Sequence, residues 1–366
     1  MIPRMFVVWS LMVWVGVSAG GGSLSTAFAQ TCGNGVCDAG ETKQSCPQDC
    51  RRLLKLLRER RGSADRAGSQ PKAVTLGPGD TQGTLTVDGR ARTYLLHAPP
   101  GYDGRTAVAV VIVLHGGGGT AGAVRKETGW AKKADEAGFL AVFPEGTSPN
   151  PSSPSRFTGN PQTWNDGSGR FHSGQRNIDD VGFVNALLDD LLAKWAIDPK
   201  RVFVTGFSNG ASMTYRLGVE LSSRIAAIAP VSGHLWIKHP KLDQPVSIVF
   251  LIGTADPLNP LEGGDVRLPS GRVEWHPPVQ DSIRKWVAMN GCSLEPKTID
   301  DQNGVKGIAY EACREGSEVA FYTIEGMGHA WPGGKNLLPE RMVGKASDKI
   351  NATDVIWEFF KRHPRK

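Results

Sequence analysis

Three residues far apart in the chain have the types needed for acyl transfer: Ser208, Asp256 and His329. Ser208 stands in Gly206-Phe207-Ser208-Asn209-Gly210, after the apolar run Val202-Phe203-Val204 and before a helical pattern carrying Ala211, Met213, Tyr215, Arg216 and Leu217. Strand, G-x-S-x-G, helix is the context of a nucleophile elbow, in which a sharp turn strains the serine backbone and lifts its hydroxyl above a sheet. Glycines two before and two after the serine let strand and helix approach without a Cβ clash. A seryl hydroxyl is a poor nucleophile until a base takes its proton. Histidine is the side chain that changes charge near neutral pH, so His329 can take that proton and return it to a leaving alcohol. Asp256 would fix the imidazole tautomer and stabilise its charged form.

A second set of residues would stabilise the developing negative charge. The apolar run Val108 to Leu114 ends in His115-Gly116-Gly117-Gly118-Gly119. Such a glycine loop can bring backbone N–H groups, here those of Gly116 and Gly117, against an oxyanion, with Asn209 after the nucleophile giving the other donor. The plainer alternative is a flexible glycine loop, and His115 is expected to be structural there rather than catalytic. Asp256 follows the buried-strand pattern Val246 to Ile252 within Gly253-Thr254-Ala255-Asp256-Pro257. His329 follows the alternating run Val319 to Ile324, in a loop of small and turn-forming residues. The order Ser…Asp…His is that of α/β-hydrolases, not of chymotrypsin or subtilisin.

These positions require strands that end on one edge. Helical patterns at Asp180 to Trp195, Val279 to Met289 and Ala352 to Arg362 alternate with the strands. The expected fold is therefore an α/β-hydrolase: a mainly parallel central sheet with helices on both faces. In the first of these helices Val184, Leu187, Leu188, Leu191 and Leu192 should face inward, and Asp180 should order the helix start. Asn351 should cap the last helix, although Asn351-Ala352-Thr353 also matches a glycosylation sequon. The 366-residue chain, 40% hydrophobic, can bury a core of normal size and shows no internal repeats.

The motifs as a set resemble the secreted esterases grouped with polyhydroxybutyrate depolymerases, feruloyl esterases and acetylxylan esterases, carbohydrate esterase family one in the broad sense. The resemblance rests on Pro99-Pro100-Gly101-Tyr102-Asp103-Gly104, Leu114 to Gly119, Thr163-Trp164-Asn165 and Asp179-Asp180-Val181-Gly182-Phe183. Gly206 to Met213, Gly253 to Pro260 and Gly328 to Gly334 complete it, so it covers roughly residues 80 to 363. It implies Ser208, Asp256 and His329 as the triad. The chain departs from the family pattern at Ile252, where members often carry histidine, in an all-glycine HG loop, and in the cysteine-free stretch Asp166 to His172. These departures leave the triad intact and bear on the acyl pocket. Both its place in the chain and the resemblance predict that Cys292 pairs with Cys313.

The remaining four cysteines, Cys32, Cys37, Cys46 and Cys50, crowd into one short segment with few apolar residues. Disulfides of unassigned connectivity are the expected staple, with zinc as the alternative. Asp38, Glu41 and Asp49 with backbone carbonyls could hold calcium, against a plain solvated acidic face. Ahead of the module, Arg4, an apolar stretch from Met5 to Ala19 and Ala27-Phe28-Ala29 read as an export signal cleaved before Gln30. The apolar run is broken by Gly16 and by Gly20 to Gly22, too short for a comfortable membrane span. The expected organisation is a signal peptide at 1–29, a cysteine-rich module at 30–50, a basic linker at 51–72 and the esterase domain at 73–366.

Between Arg51 and Arg66, seven basic residues stand against Glu59 and Asp65, a net +5 of the chain's formal +6. The pI near 9.0 is thus mostly a property of the linker and does not indicate nucleic-acid binding. Leu53, Leu54, Leu56 and Leu57 would allow a short amphipathic helix against an anionic polymer; a solvated tether is the plainer reading.

Trp331 and Trp164 are expected to wall the substrate cleft and His234 to line the pocket, although aromatic walls also suit plain packing. The chemistry needs no metal or organic cofactor. The expected activity is a secreted or periplasmic serine carboxylesterase working through an acyl-enzyme. Its expected partner is a polymeric ester, first the feruloyl or acetyl esters of xylan, with polyhydroxybutyrate or another aliphatic polyester as the alternative. A non-catalytic wall- or glycan-binding protein on a hydrolase scaffold is the remote alternative, and a serine peptidase shares the same triad.

Overall fold

The computed structural model describes residues 77–268 and 271–366. The expected signal peptide (1–29), cysteine-rich module (30–50), basic linker (51–72) and the domain start at Ala73 lie outside the described residues. The described chain opens with a hairpin of β1 (Gly79–Val87) and β2 (Arg90–Ala98), joined by Asp88-Gly89 with φ of 49° and 68°. Positive φ at both turn positions matches the twist of a two-residue hairpin loop.

The strands that follow are β3 (Val108–Leu114), β4 (Leu140–Pro144), β5 (Ile197–Phe207), β6 (Ala227–Val231) and β7 (Ser247–Gly253). Next come the small hairpin β8 (Gly264–Arg267) and β9 (Val273–His276), then β10 (Lys297–Gln302), β11 (Val305–Tyr310) and β12 (Val319–Ile324). Among the described residues one ten-stranded sheet runs β1-β2-β4-β3-β5-β6-β7-β12-β11-β10. The strands from β4 to β12 in that order are mutually parallel, and antiparallel strands extend both edges. The expected α/β-hydrolase fold with a mainly parallel sheet is what the chain adopts.

Helices cover both faces: α1 (Ala121–Thr128), α2 (Trp130–Ala137), α3 (His172–Gln175), α4 (Asp180–Lys194), α5 (Asn209–Glu220), α6 (Val279–Asn290), α7 (Glu340–Val343) and α8 (Ala352–Arg362). The two-residue period of β3 sorts its side chains between two cores. Val110, Ile112 and Leu114 join Phe183 and Leu187 of α4, Met213 of α5 and Trp286 of α6. Ala109, Val111 and Val113 join Val124 of α1, Trp130 of α2 and Ile356 and Phe360 of α8. Because both faces are covered, β3, β4, β6 and β7 are apolar along almost their whole length.

Topology places the chemistry. From β3 the chain turns one way to β4 and then returns past β3 to β5, so β3 and β5 lie side by side with Leu114 opposite Gly206. The crevice at the carboxyl ends of such strands is where open α/β sheets bind ligands. On the other side of β6, β7 and β12 are neighbours with Gly253 opposite Ile324. The loops carrying Gly116, Ser208, Asp256 and His329 therefore leave one edge of the sheet.

The helix starts correct one expectation. Asp179, not Asp180, caps α4, its Oδ1 accepting the Gly182 N–H at 2.7 Å. Asp180 is buried and accepts from Arg92 Nη2 at 2.6 Å and from the Asn165 N–H at 2.7 Å. It thus ties β2 and the Trp164-Asn165 loop to the helix. Asn351 caps α8 through its Oδ1 and the Asp354 N–H. Cys292, just after α6, is disulfide-linked to Cys313, just after β11. No helix of the described residues is long and apolar enough to cross a membrane.

Candidate active site

Ser208 sits between β5 and α5 with φ 57° and ψ −119°, a strained conformation for a residue with a side chain. Its N–H donates to Val231 O at 3.0 Å, which pins the elbow to β6. A Cβ added to Gly206 would stand 2.5 Å from Gly210 O, and one on Gly210 would collide with the Leu114 carbonyl. Both glycines are therefore dictated by the closeness of strand, elbow and helix. Ser208 is half-exposed while Phe207 and Asn209 beside it are buried.

Asp256 and His329 are joined by a 2.8 Å bond from His329 Nδ1 to Asp256 Oδ2. Asp256 Oδ1 accepts the N–H groups of Leu258 and Asn259 at 2.9 and 2.8 Å. Burial pushes the Asp256 carboxyl up. The His329 ring, its hydrogen bond and the two backbone donors outweigh this and hold it below its usual range. The two loops are stitched together by Ala255 N–H to Met327 O at 2.9 Å. The Phe207 ring packs 4.7 Å from the imidazole, between centroids. Asn259 adds a partner that the sequence did not reveal: Nδ2 donates to Ser232 O at 2.9 Å and lies 3.4 Å from His329 Nδ1.

The glycine loop lies against the elbow, since a Cβ on Gly116 would stand 3.3 Å from Ser208 Cβ. Gly118 N–H donates to Gln162 O and Gly119 N–H to Gly116 O. Those of Gly117 and Asn209 have no partner among the described residues; Asn209 opens α5, and the first amides of a helix lack a partner within it. His115 braces this loop from within the core. Its Nδ1 donates to Gly116 O at 2.8 Å and its Nε2 accepts from Gly146 N–H at 2.9 Å. Burial pushes its pKa down to about 4, so the ring is neutral.

Ser208, His329, Asn209, Gly116 and Gly117 all line one cavity of about 850 Å³. Its apolar wall includes Val124, Phe157, Phe171, Leu258, Leu268 and Leu338. A polar wall comes from the β8–β9 hairpin and from Arg170, whose Nη1 is 2.8 Å from His276 Nε2 and 3.3 Å from Glu274 Oε2. The same guanidinium stacks 4.2 Å over the Trp236 ring. Burial, then the Arg170 charge, pushes His276 down to about 4. Among the described residues no group of three or more His, Cys, Asp or Glu side chains could hold a metal ion.

The structure does not place the three expected substrate-binding side chains on this wall. Trp331 is buried in the core beneath α8, its Nε1 donating to Thr353 Oγ1 at 3.0 Å. Trp164 is fully buried, with Nε1 donating to His115 O at 2.9 Å, and so supports the glycine loop from behind. His234 is fully buried behind His276, with ring centroids 5.3 Å apart. Nearness in the chain to His329 or to a strand end does not determine which way a side chain turns. Conversely, Arg170, Glu274, His276 and Glu127 line the cavity without belonging to any short motif.

Comparison with known proteins agrees with this architecture. Residues 103–265 match a family model described as phospholipase/carboxylesterase. The chain is 29% identical over 249 residues to feruloyl esterase B of Piromyces equi, covering 67% of this chain and 44% of that protein. It is 26% identical over 255 residues to poly(3-hydroxyalkanoate) depolymerase C of Paucimonas lemoignei, covering 64% of this chain and 58% of that protein. The chain thus spans about half the length of these two relatives. Among solved structures it is similar in fold to an acetyl xylan esterase from Aspergillus awamori, with TM-score 0.51 and 15% identity, covering 77% of this chain and 99% of that one.

Proposed function

We propose that this chain, which has the α/β-hydrolase fold and is similar to esterases, hydrolyses carboxylic esters through an acyl-enzyme formed on Ser208. The observation that carries the reading is the Asp256–His329 bond of 2.8 Å opening into the cavity that holds Ser208 on a strained elbow. His329 Nδ1–H donates to Asp256, which leaves Nε2 free to take the Ser208 proton. As Oγ attacks the ester carbonyl, the oxyanion receives the N–H groups of Asn209 and of the Gly116–Gly117 loop. His329 returns the proton to the departing alcohol. It then takes one from water, whose oxygen attacks the acyl carbonyl; as the bond to Oγ breaks, His329 gives that proton to Ser208 and the acid is released.

For the substrate we favour acyl esters of plant cell-wall polysaccharide, feruloyl or acetyl, in a secreted enzyme whose mature chain begins at Gln30. The feruloyl esterase B relative supports this, as does a cavity that offers apolar and aromatic walls beside a guanidinium and a carboxylate. The polyester depolymerase relative supports aliphatic polyesters as the second reading. The discriminating experiment compares methyl ferulate, acetylated xylan and amorphous polyhydroxybutyrate, with p-nitrophenyl acetate as a common reference. The reading holds if the first two are turned over in preference to the third. It is reversed if only the polyester is attacked, and a protein inert toward all of them, p-nitrophenyl acetate included, is no esterase. We also propose that the chain from Ala73 onward carries the whole activity, so that its removal from residues 1–72 leaves p-nitrophenyl acetate turnover near the full-length rate.

A further inference from the structure

We propose that Glu127 is a specificity-determining residue of this cavity, a fixed carboxylate that disfavours negatively charged groups next to Ser208 and so hastens departure of the acid product. The proposal rests on the esterase reading and extends it to what the site rejects.

Glu127 lies in the last turn of α1 and lines the same cavity as Ser208 and His329. It is half-buried, and among the described residues its carboxyl is balanced neither by a hydrogen bond nor by an ion pair. The other acids near the cavity are committed. Glu274 is paired with Arg170 and Arg272, and Asp256 with His329. Arg125 on the same helix pairs with Asp80; Lys126, and Lys335 of the segment packed on the helix end, are exposed, and His172 lines the same cavity. The strands packed against α1 bring no counter-ion either. Arg92 of β2 is taken by Asp180, and His97 of β2 by Asp80 and Asp135. His115 after β3 is neutral, and Glu145 after β4 is itself acidic. The end of α1 is held by Lys335 N–H donating to Glu127 O at 2.8 Å and by Thr353 Oγ1 donating to Thr128 O at 2.6 Å. The carboxyl is therefore presented from a fixed backbone.

Ester hydrolysis turns a neutral substrate into a carboxylate. The product's charge appears at the oxyanion site, in the same cavity, whose apolar wall makes like charges repel more strongly than in bulk water. A neutral ester meets no such penalty. Burial pushes the Glu127 pKa up to about 7, with His329 partly opposing it. The carboxyl is thus neutral in mild acid and charged in mild base, so the discrimination should switch on as pH rises through neutrality.

The test measures binding rather than turnover. Ferulate and methyl ferulate are titrated calorimetrically into Ser208→Ala and into Ser208→Ala/Glu127→Gln. At about pH 8 the Gln variant should bind ferulate on the order of five- to tenfold more tightly, and at about pH 5.5 less than about twofold more tightly. Methyl ferulate should be unaffected at either pH. Glu127→Asp, which keeps the charge, should behave as Glu127 does. The proposal is overturned if ferulate affinity at the higher pH is unchanged by Glu127→Gln, if ferulate binds neither protein, or if the ester and the acid change alike. The esterase reading fails separately, if p-nitrophenyl acetate turnover survives Ser208→Ala.

Discussion

The side chain of Asn209 grips the backbone of Trp164 from both sides: Oδ1 accepts the Trp164 N–H at 2.8 Å while Nδ2 donates to Trp164 O at 3.1 Å. Nδ2 also reaches Asp166 Oδ2 at 2.9 Å. The residue whose backbone N–H is proposed to bind the oxyanion is thus locked through its side chain to a separate loop. Trp164 in turn holds His115 O, at the head of the glycine loop that supplies the other donor. Both halves of the oxyanion site are set by one buried network, and such a site gains its effect from donors already in place.

Removing the grip should therefore reach the transition state more than the ground state. Asn209→Ala keeps the backbone N–H but frees it. The expected outcome is a fall in kcat on the order of 10- to 100-fold with KM changed by less than about threefold. Steady-state kinetics on p-nitrophenyl acetate checks this. A rise in KM with kcat intact would mean that Asn209 serves substrate binding alone.

The buried Arg92–Asp180 pair is expected to matter for stability. Both side chains are almost fully buried, and Asp180 also holds the Asn165 N–H. Asp180→Ala would leave the Arg92 guanidinium buried without its charge partner and is expected to destabilise the domain by about 3–5 kcal/mol. Urea unfolding, followed by tryptophan fluorescence, should show a lower midpoint with an unchanged slope. A loss below about 1 kcal/mol would contradict it.

Acid should weaken the fold through histidines that are kept neutral. Burial pushes His115 and His276 down to about 4 and His234 to about 3. A free imidazole has a pKa of about 6.5, so below that pH the unfolded chain binds protons that the folded chain does not. Stability that is complete above about pH 6.5 is lost progressively toward about pH 4. The melting temperature should fall by at least about 5 °C between about pH 7 and about pH 5. His234→Phe, which removes a ring whose two nitrogens have no partner among the described residues, should lessen that fall. An equal fall in this variant would show that His234 contributes nothing to acid lability.

What the sequence revealed follows from where each residue's partners lie. Ser208, Asp256 and His329 sit in short loops directly after buried strands, and a strand's end fixes the start of its loop. Those positions were therefore readable from local pattern, as were β3 and α8 to the residue. Trp331 departs from its expected place in the cleft because its loop turns back under α8, where Thr353 takes its indole N–H. Asp179 and Asp180 differ in role only because Arg92, far away in the chain, meets the second of them. Glu127 and the β8–β9 hairpin reach the cavity through tertiary packing, which leaves no short motif to read.

The orienting role of Asp256 gives a further quantitative expectation. Asp256→Asn keeps the side-chain shape but can turn an N–H toward His329, favouring the wrong tautomer. A loss in kcat on the order of 10³- to 10⁴-fold is expected, with the folded state retained by circular dichroism. A loss under about tenfold would mean that His329 does not depend on Asp256.

The most direct measurement is covalent labelling of the nucleophile. A fluorophosphonate probe, followed by peptide mass spectrometry, should modify Ser208 and no other serine. The label and p-nitrophenyl acetate turnover should disappear together in Ser208→Ala, while the protein stays folded. Labelling at another residue, or turnover that persists in Ser208→Ala, would contradict the account.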